Sequence, residues 1–203
     1  MGEFKAIGIM ILPELVFATN NKHKTEEVGK LLLNQYKVLN LKDIGCDVDI
    51  PETGSSFAEN AELKSTYVTE NFKLDCFADD SGLEIDALDN EPGIYSARYS
   101  GVRDDVENLN LVLRKMEGLA NRKAHFKTVV SLNKNNKKYL FEGVIYGNIT
   151  HVAMGEDGFG YDPIFMPTGY DRTFAQMSMA EKNTISHRAI AMKKLIAFLK
   201  EQV

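Results

Sequence analysis

The sequence predicts an α/β fold. Three observations carry that reading: a strand, a loop and a helix succeed one another near the start, amphipathic helices alternate with apolar strand-like runs through the middle, and a long hairpin in the second half builds an antiparallel lobe. With 44% hydrophobic and 26% charged residues and no low-complexity tract, the 203 residues describe one soluble domain with a substantial core. We read residues 1–14 as an N-terminal extension and residues 15–203 as that domain. Ile7 to Leu12 are apolar but far too few to cross a bilayer, and no small-residue cleavage site follows, so no membrane partner is expected. A net charge of −5 and a pI near 5.5 argue against a nucleic-acid polymer, which selects a basic stripe, and leave room for a small anion in a local positive pocket. Cys46 and Cys76 lack metal-ligand spacing and make no disulfide framework, which fits a reducing cytoplasm.

Leu15-Val16-Phe17-Ala18 is a strand-type run. Thr19-Asn20-Asn21-Lys22-His23-Lys24 follows it as a loop, before a helical pattern that places Val28, Leu31 and Leu32 on one face. The loop sets N–H groups, hydroxyl and amide donors and lysines at a helix N-terminus, an arrangement that holds phosphate; a basic helix start is equally a solvated face. Tyr36 to Leu41 reads as the next strand, and residues 43–55 as a loop carrying Glu52-Thr53-Gly54. Ser56, with Glu59 three residues on, forms a capping box for a helix that buries Phe57, Ala61, Val68 and Phe72. Lys64 lies on the same stripe, where it either snorkels out to water or reaches into an anionic site. Cys76-Phe77-Ala78 is an apolar strand ending in Asp79-Asp80-Ser81-Gly82, and Leu83 to Leu88 alternates as a further strand. Glu91 to Ile94 turn the chain, and Tyr95 to Gly101 make a polar, aromatic loop of the kind that lines pockets. Val106, Leu109, Leu113 and Met116 mark an amphipathic helix. Ala124, Phe126, Thr128, Val130 and Leu132 alternate in a half-buried strand, residues 133–136 turn, and Tyr139 to Thr150 returns as its partner. A final helix buries Ala189, Met192, Leu195, Ile196 and Leu199.

Three clusters carry chemistry. Adjacent anions at a strand end repel and cost desolvation, so Asp79-Asp80 is most readily rationalised by a divalent cation, magnesium or manganese on oxygen ligands; the same residues also make a polar turn. Gly158-Phe159-Gly160-Tyr161-Asp162-Pro163 combines aromatic faces, flexible backbone and one acid. That mix suits a planar base read at its edge, or a glycine-rich turn whose aromatics fill the core. Residues 181–188 cannot place Lys182, His187 and Arg188 on one face of a continuous helix. A break near Thr184, with Ser186-His187-Arg188 opening the last helix, lets the three converge as donors for a carbonyl-bearing base or for phosphate.

In six ordered motifs the chain resembles the inosine triphosphate and xanthosine triphosphate pyrophosphatase family, which removes deaminated purine nucleotides. The motifs are Thr19 to Lys24, Glu52-Thr53-Gly54 with Glu59 to Lys64, Ala78 to Gly82, Pro92 to Arg98, Gly158 to Pro163, and Ser186-His187-Arg188. The resemblance runs from Leu15 to Leu199 and implies an elongated mixed twisted sheet flanked by helices, two lobes around a central cleft, and a homodimer. Carried over position by position, it makes Asp80 the general base, Asp79 a supporting carboxylate, and Glu52 and Asp80 ligands of magnesium, for which manganese would substitute. Thr19, Asn20, Asn21, Lys22, His23, Lys24, Lys64 and Ser81 would hold the triphosphate. Phe159, Gly160, Tyr161, Asp162, Lys182, His187 and Arg188 would read the base. The implied reaction converts ITP, dITP or XTP to the monophosphate and pyrophosphate.

Overall fold

The computed structural model describes residues 12–21, 23–25, 28, 32 and 35–201. Most of the expected N-terminal extension, together with Lys22 and Leu31, lies outside the described residues. Within them, six strands form one mixed sheet. β1 (Glu14–Phe17) pairs in parallel with β2 (Lys37–Asn40) on one side and β3 (Cys76–Ile85) on the other. Parallel neighbours require crossovers. Helical residues between β1 and β2, among them Val28 and Leu32, and α1 (Phe57–Phe72) supply them. From β3 onward the neighbours are antiparallel: β4 (Lys123–Lys134), β5 (Lys137–Ile149) and the short β6 (Phe165–Pro167). The strand order is β2-β1-β3-β4-β5-β6.

The hairpin between β4 and β5 is tighter than the four-residue turn expected. Its turn is Asn135-Asn136, both left-handed at φ 51° and 60°, a conformation asparagine tolerates and two-residue hairpins require. A second correction concerns β3, which does not end at the aspartates. It runs ten residues without a break, and Asp79 to Gly82 pair with Val130 to Lys127 of β4. Both carboxylates find partners beside the strand, so nothing forces the ladder to stop there. Leu83 to Ile85 therefore belong to the same strand, Asp86–Leu88 close it in a 3-10 turn, and Gly93–Arg98 form a 3-10 helix where a loop was expected.

Three apolar clusters organise the layers. On one face of the parallel half, Leu15, Phe17, Phe77, Val130 and Leu132 pack against Met192, Leu195 and Leu199 of α4 (His187–Glu201). On the other face, Val16, Ala18, Cys76 and Ala78 pack against Val68 of α1. The antiparallel lobe has its own core, where Leu83, Ile85 and Phe126 meet Leu109 and Val112 of α2 (Asp105–Lys115) and Met116 at its C-cap, with Tyr161 and Phe174. Val106, expected on that stripe, sits in the first turn of α2 and is exposed; the buried face is defined by Leu109, Val112 and Met116 at helical spacing. α3 (Met179–Ile185) and α4 are separated at Ser186, so the break expected near Thr184 is present and Ser186-His187-Arg188 opens the last helix as expected. Ser186 is extended (φ −62°, ψ 153°) and its Oγ accepts the Ala189 N–H at 3.1 Å, capping α4. At α1, Ser56 Oγ accepts the Glu59 N–H as expected, but the Glu59 carboxylate accepts from Ser55 rather than from Ser56.

Candidate active site

β3 lies between the two lobes, and its pleat separates the acidic pair. Successive side chains leave opposite faces of a strand, so Phe77, Asp79 and Ser81 face α4, whereas Ala78, Asp80 and Gly82 face α1. Asp79 is buried, with Lys24 Nζ 3.1 Å from one carboxylate oxygen and Arg188 Nε 3.1 Å from the other. Burial alone would raise this carboxyl; the charges of Lys24, Arg188 and Lys64 outweigh it and hold it well below the usual carboxylate range. Asp80 instead meets the cleft. Its Oδ2 accepts from Asn60 Nδ2 at 3.0 Å and its Oδ1 from the Ser81 N–H at 2.9 Å. Burial pushes the Asp80 carboxyl above its ordinary value, against the pull of Lys64 and Lys24. The pair therefore does not present two ligands to one ion, which corrects the simplest reading of neighbouring aspartates.

A cleft of 650 Å³ opens beside Asp80. The first loop contributes Thr19, Asn20, Asn21, His23 and Lys24 to its wall. The loop is folded on itself: Thr19 Oγ1 accepts the Asn21 N–H and Asn21 Oδ1 accepts the Lys24 N–H, each at 3.1 Å. Lys64 is buried and donates to Glu52 Oε1 at 2.5 Å, so it reaches the anionic site and does not snorkel outward. Burial opposes its charge, but Asp80, Glu52 and Asp79 together raise it above its ordinary value. Asn60 lies one turn earlier on the same helix face and also accepts the Gly54 N–H at 2.8 Å, tying loop, helix and Asp80 together.

Aromatic and cationic groups also line the cleft. Asp162 is buried, and its Oδ2 accepts both the Phe159 N–H at 2.9 Å and Lys182 Nζ at 2.8 Å. Gly158 is left-handed at φ 83°, and a Cβ there would stand 2.2 Å from Asp162 Oδ2, so this turn requires glycine. Gly160 N–H donates to Asp105 Oδ2, and Tyr161 donates its hydroxyl to Ser96 O at 2.8 Å from a buried position. Lys182 Nζ sits 4.5 Å from the Phe159 ring centroid, whose ring also stacks on His23 at 5.2 Å. His187 stacks on Phe126 at 4.7 Å, and its Nδ1 has no hydrogen-bond partner among the described residues. Burial, then the charges of Arg188 and Lys182, hold its imidazole well below the ordinary value, so it is neutral. Arg188 donates to Ser81 Oγ at 3.0 Å as well as to Asp79.

The structure thus gathers into one cleft every described residue assigned to the site from sequence, except Asp79, which lies behind it; Lys22 is outside the described residues. Sequence reasoning missed Asn60 and Arg98, although both fall inside quoted motifs. Asn60 was accessible as the residue one helical turn before Lys64. Arg103, also on the cleft wall, gave no signal. Among the described residues no group of three or more His, Cys, Asp or Glu side chains is placed to hold an ion. Magnesium nevertheless commonly uses one or two carboxylates, completing its octahedron with water and substrate phosphates. The oxygens of Glu52 and Asp80, both on the cleft wall beside Lys64, fit that mode.

The model of the Ham1 family matches residues 15–198. A curated relative, the dITP/XTP pyrophosphatase of Flavobacterium psychrophilum, is 51% identical over 188 residues, covering 92% of this chain and 99% of its own. The solved Staphylococcus aureus Ham1 protein superposes with a TM-score of 0.87 at 41% identity, over 94% of this chain and 100% of its own. A HAM1 protein from Coxiella burnetii gives the same TM-score and coverage at 38% identity.

Proposed function

Because the chain belongs to the Ham1 family, we propose that it hydrolyses the deaminated purine nucleoside triphosphates ITP, dITP and XTP to monophosphate and pyrophosphate, clearing them from the nucleotide pool. One observation carries the reading: anion-binding donors, a carboxylate pair with a lysine, and an aromatic, cationic group line a single cleft. The donors of the first loop, the group Asp80, Lys64 and Glu52, with Asn60 behind Asp80, and the Phe159 ring with Lys182, His187 and Arg188 all border the same space. Its volume lies within the range of about 300–1,000 Å³ common to small-ligand sites.

In this reading the first loop, Lys24 and Ser81 bind phosphate oxygens. Asp80 accepts a proton from water, whose oxygen bonds the α-phosphorus in line as the bridging oxygen departs with the β-phosphorus. Lys64 stabilises charge on the leaving pyrophosphate. Glu52 and Asp80 would hold magnesium, or manganese in its place, which when bound neutralises triphosphate oxygens and orients the phosphates. Phe159 offers a stacking face, and donors from Lys182, His187 and Arg188 meet the 6-keto oxygen shared by hypoxanthine and xanthine. Adenine would turn an amino hydrogen toward the same donors, and a buried donor left unpaired costs about 1–3 kcal/mol. Guanine shares the 6-keto group, so its exclusion falls to position 2.

The proposal includes residues 15–203 as the catalytic unit, a homodimer and a cytoplasmic location. Buried free thiols at Cys46 and Cys76 support a reducing compartment, and no described helix is long and apolar enough to cross a membrane. Tyr95, Val102 and Val106, left exposed within one stretch, support a face covered by a second copy. Sedimentation at 22.8 kDa would overturn the dimer. The decisive assay is pyrophosphate release from ITP, dITP, XTP, GTP, ATP and dTTP with and without magnesium. Preference for the first three, dependent on the metal, is expected; a flat or pyrimidine-biased profile would overturn the assignment.

A further inference from the structure

We infer that Arg98 binds the pyrophosphate half of the substrate, completing from the antiparallel lobe a phosphate site whose other groups come from the first loop and α1. The inference rests on reading the cleft as a nucleoside triphosphate site. Arg98 ends the 3-10 helix Gly93–Arg98, and that helix is held rigidly. Ser96 Oγ donates to Gly93 O at 2.6 Å and accepts the Leu83 N–H of β3 at 2.9 Å, while Ser96 O accepts from Tyr161. Gly82 permits this close seating, since a Cβ there would lie 2.4 Å from Gly93 O.

From this frame the Arg98 side chain lines the cleft with its donors unspent. Its nearest carboxylate oxygen is Glu52 Oε2 at 3.8 Å, beyond hydrogen-bond reach, and it makes no hydrogen bond among the described residues. The Tyr95 ring, 5.5 Å from the guanidinium carbon, backs it. By contrast Lys24, Lys64, Lys182 and Arg188 each hydrogen-bond a carboxylate. The local field also calls for another cation. Glu52 and Asp80 both line the cleft where a polyanionic substrate must come, and Lys64 already spends a donor on Glu52. A guanidinium presents five donors in a planar fork that matches phosphate oxygens, and Arg98 stands beside Glu52 Oε2, the oxygen that Lys64 does not bond.

The test compares wild type with Arg98→Gln and Arg98→Lys by calorimetric titration of inorganic pyrophosphate and, separately, of IMP, in magnesium buffer, beside thermal melts. Losing a charge-assisted bidentate contact should weaken pyrophosphate binding of Arg98→Gln roughly 10- to 100-fold and lower kcat/KM for ITP similarly, with IMP affinity unchanged. Arg98→Lys should recover part of the loss. Unchanged pyrophosphate affinity in Arg98→Gln overturns the inference, as does an equal loss for IMP and pyrophosphate, which would mark Arg98 as a tie between lobes. If Arg98→Gln fails to fold, full pyrophosphate affinity in Arg98→Lys, which lacks the fork, overturns it, and a loss confined to pyrophosphate upholds it. Absence of pyrophosphate release from ITP by wild type is a separate result and would remove the proposed function itself.

Discussion

At the scale of single residues, Asp79 and Asp80 divide the work of stability and chemistry, and the division is testable. Asp79→Asn leaves Lys24 and Arg188 buried around a neutral amide, so it should cost about 3–5 kcal/mol. A fall in melting midpoint of roughly 2–4 °C per kcal/mol would register it. Asp80→Asn keeps a group that can accept from Asn60 and should leave the melt close to wild type, while turnover of ITP falls roughly 100- to 10,000-fold. Equal melting losses in the two variants would refute the division. Both aspartates were legible as site residues in the sequence. Their separation was not, because it depends on β3 continuing past them and on which cations pack against each face. His187 adds a pH dependence. Its folded-state pKa lies below the ordinary 6.5, so below that pH the unfolded chain binds a proton that the folded chain refuses. Stability should therefore decline as pH falls from 6.5, more steeply in wild type than in His187→Gln, as followed by melts between about pH 7.5 and 5.5.

Among elements, α4 matters most, since its first turn delivers both His187 and Arg188 to the cleft. The broken helix was readable because a continuous one would scatter Lys182, His187 and Arg188. The opening at Ser186-His187-Arg188 was readable too, and the structure supplies its cause, the Ser186 Oγ that accepts the Ala189 N–H. The seat of α4 depends on a feature with no sequence pattern. Gly143 of β5 lies directly beneath the helix, and a Cβ there would stand 2.0 Å from His187 O and 2.6 Å from Ala191 N. Both are backbone atoms, so the clash is relieved only if the helix moves. Gly143→Ala should cost about 1–3 kcal/mol and should also raise KM for ITP, although residue 143 does not line the cleft. A stability loss with KM unchanged would show that the first turn of α4 can shift without disturbing the base-reading groups.

For the whole molecule, the strand-helix order and the long hairpin were written in the local pattern, but the cleft was not. It arises from how α1 and α4 cover opposite faces of β3 and how Lys182 closes on Asp162 of the Gly158 turn, contacts between residues separated in sequence. The motifs that define it are legible as separate pieces, each with a bland alternative, until the sheet order brings them together. The sheet also determines how the molecule should unfold. β3 and β4 run through both lobes: Phe77 and Leu132 belong to the α4 core, while Leu83, Ile85 and Phe126 belong to the antiparallel core. Neither core can lose its strands while the other keeps them. The two lobes should therefore melt in one transition, with far-UV and near-UV circular dichroism tracing the same curve. A ligand that spans the cleft should move that whole curve. Binding only the folded state at about 100 times Kd adds about 2.7 kcal/mol. ITP with magnesium, added to Asp80→Asn so that it is not consumed, should thus raise the single midpoint by roughly 5–10 °C. Two resolved steps, or a shift confined to one of them, would show that the lobes fold independently and that the long strands do not couple them.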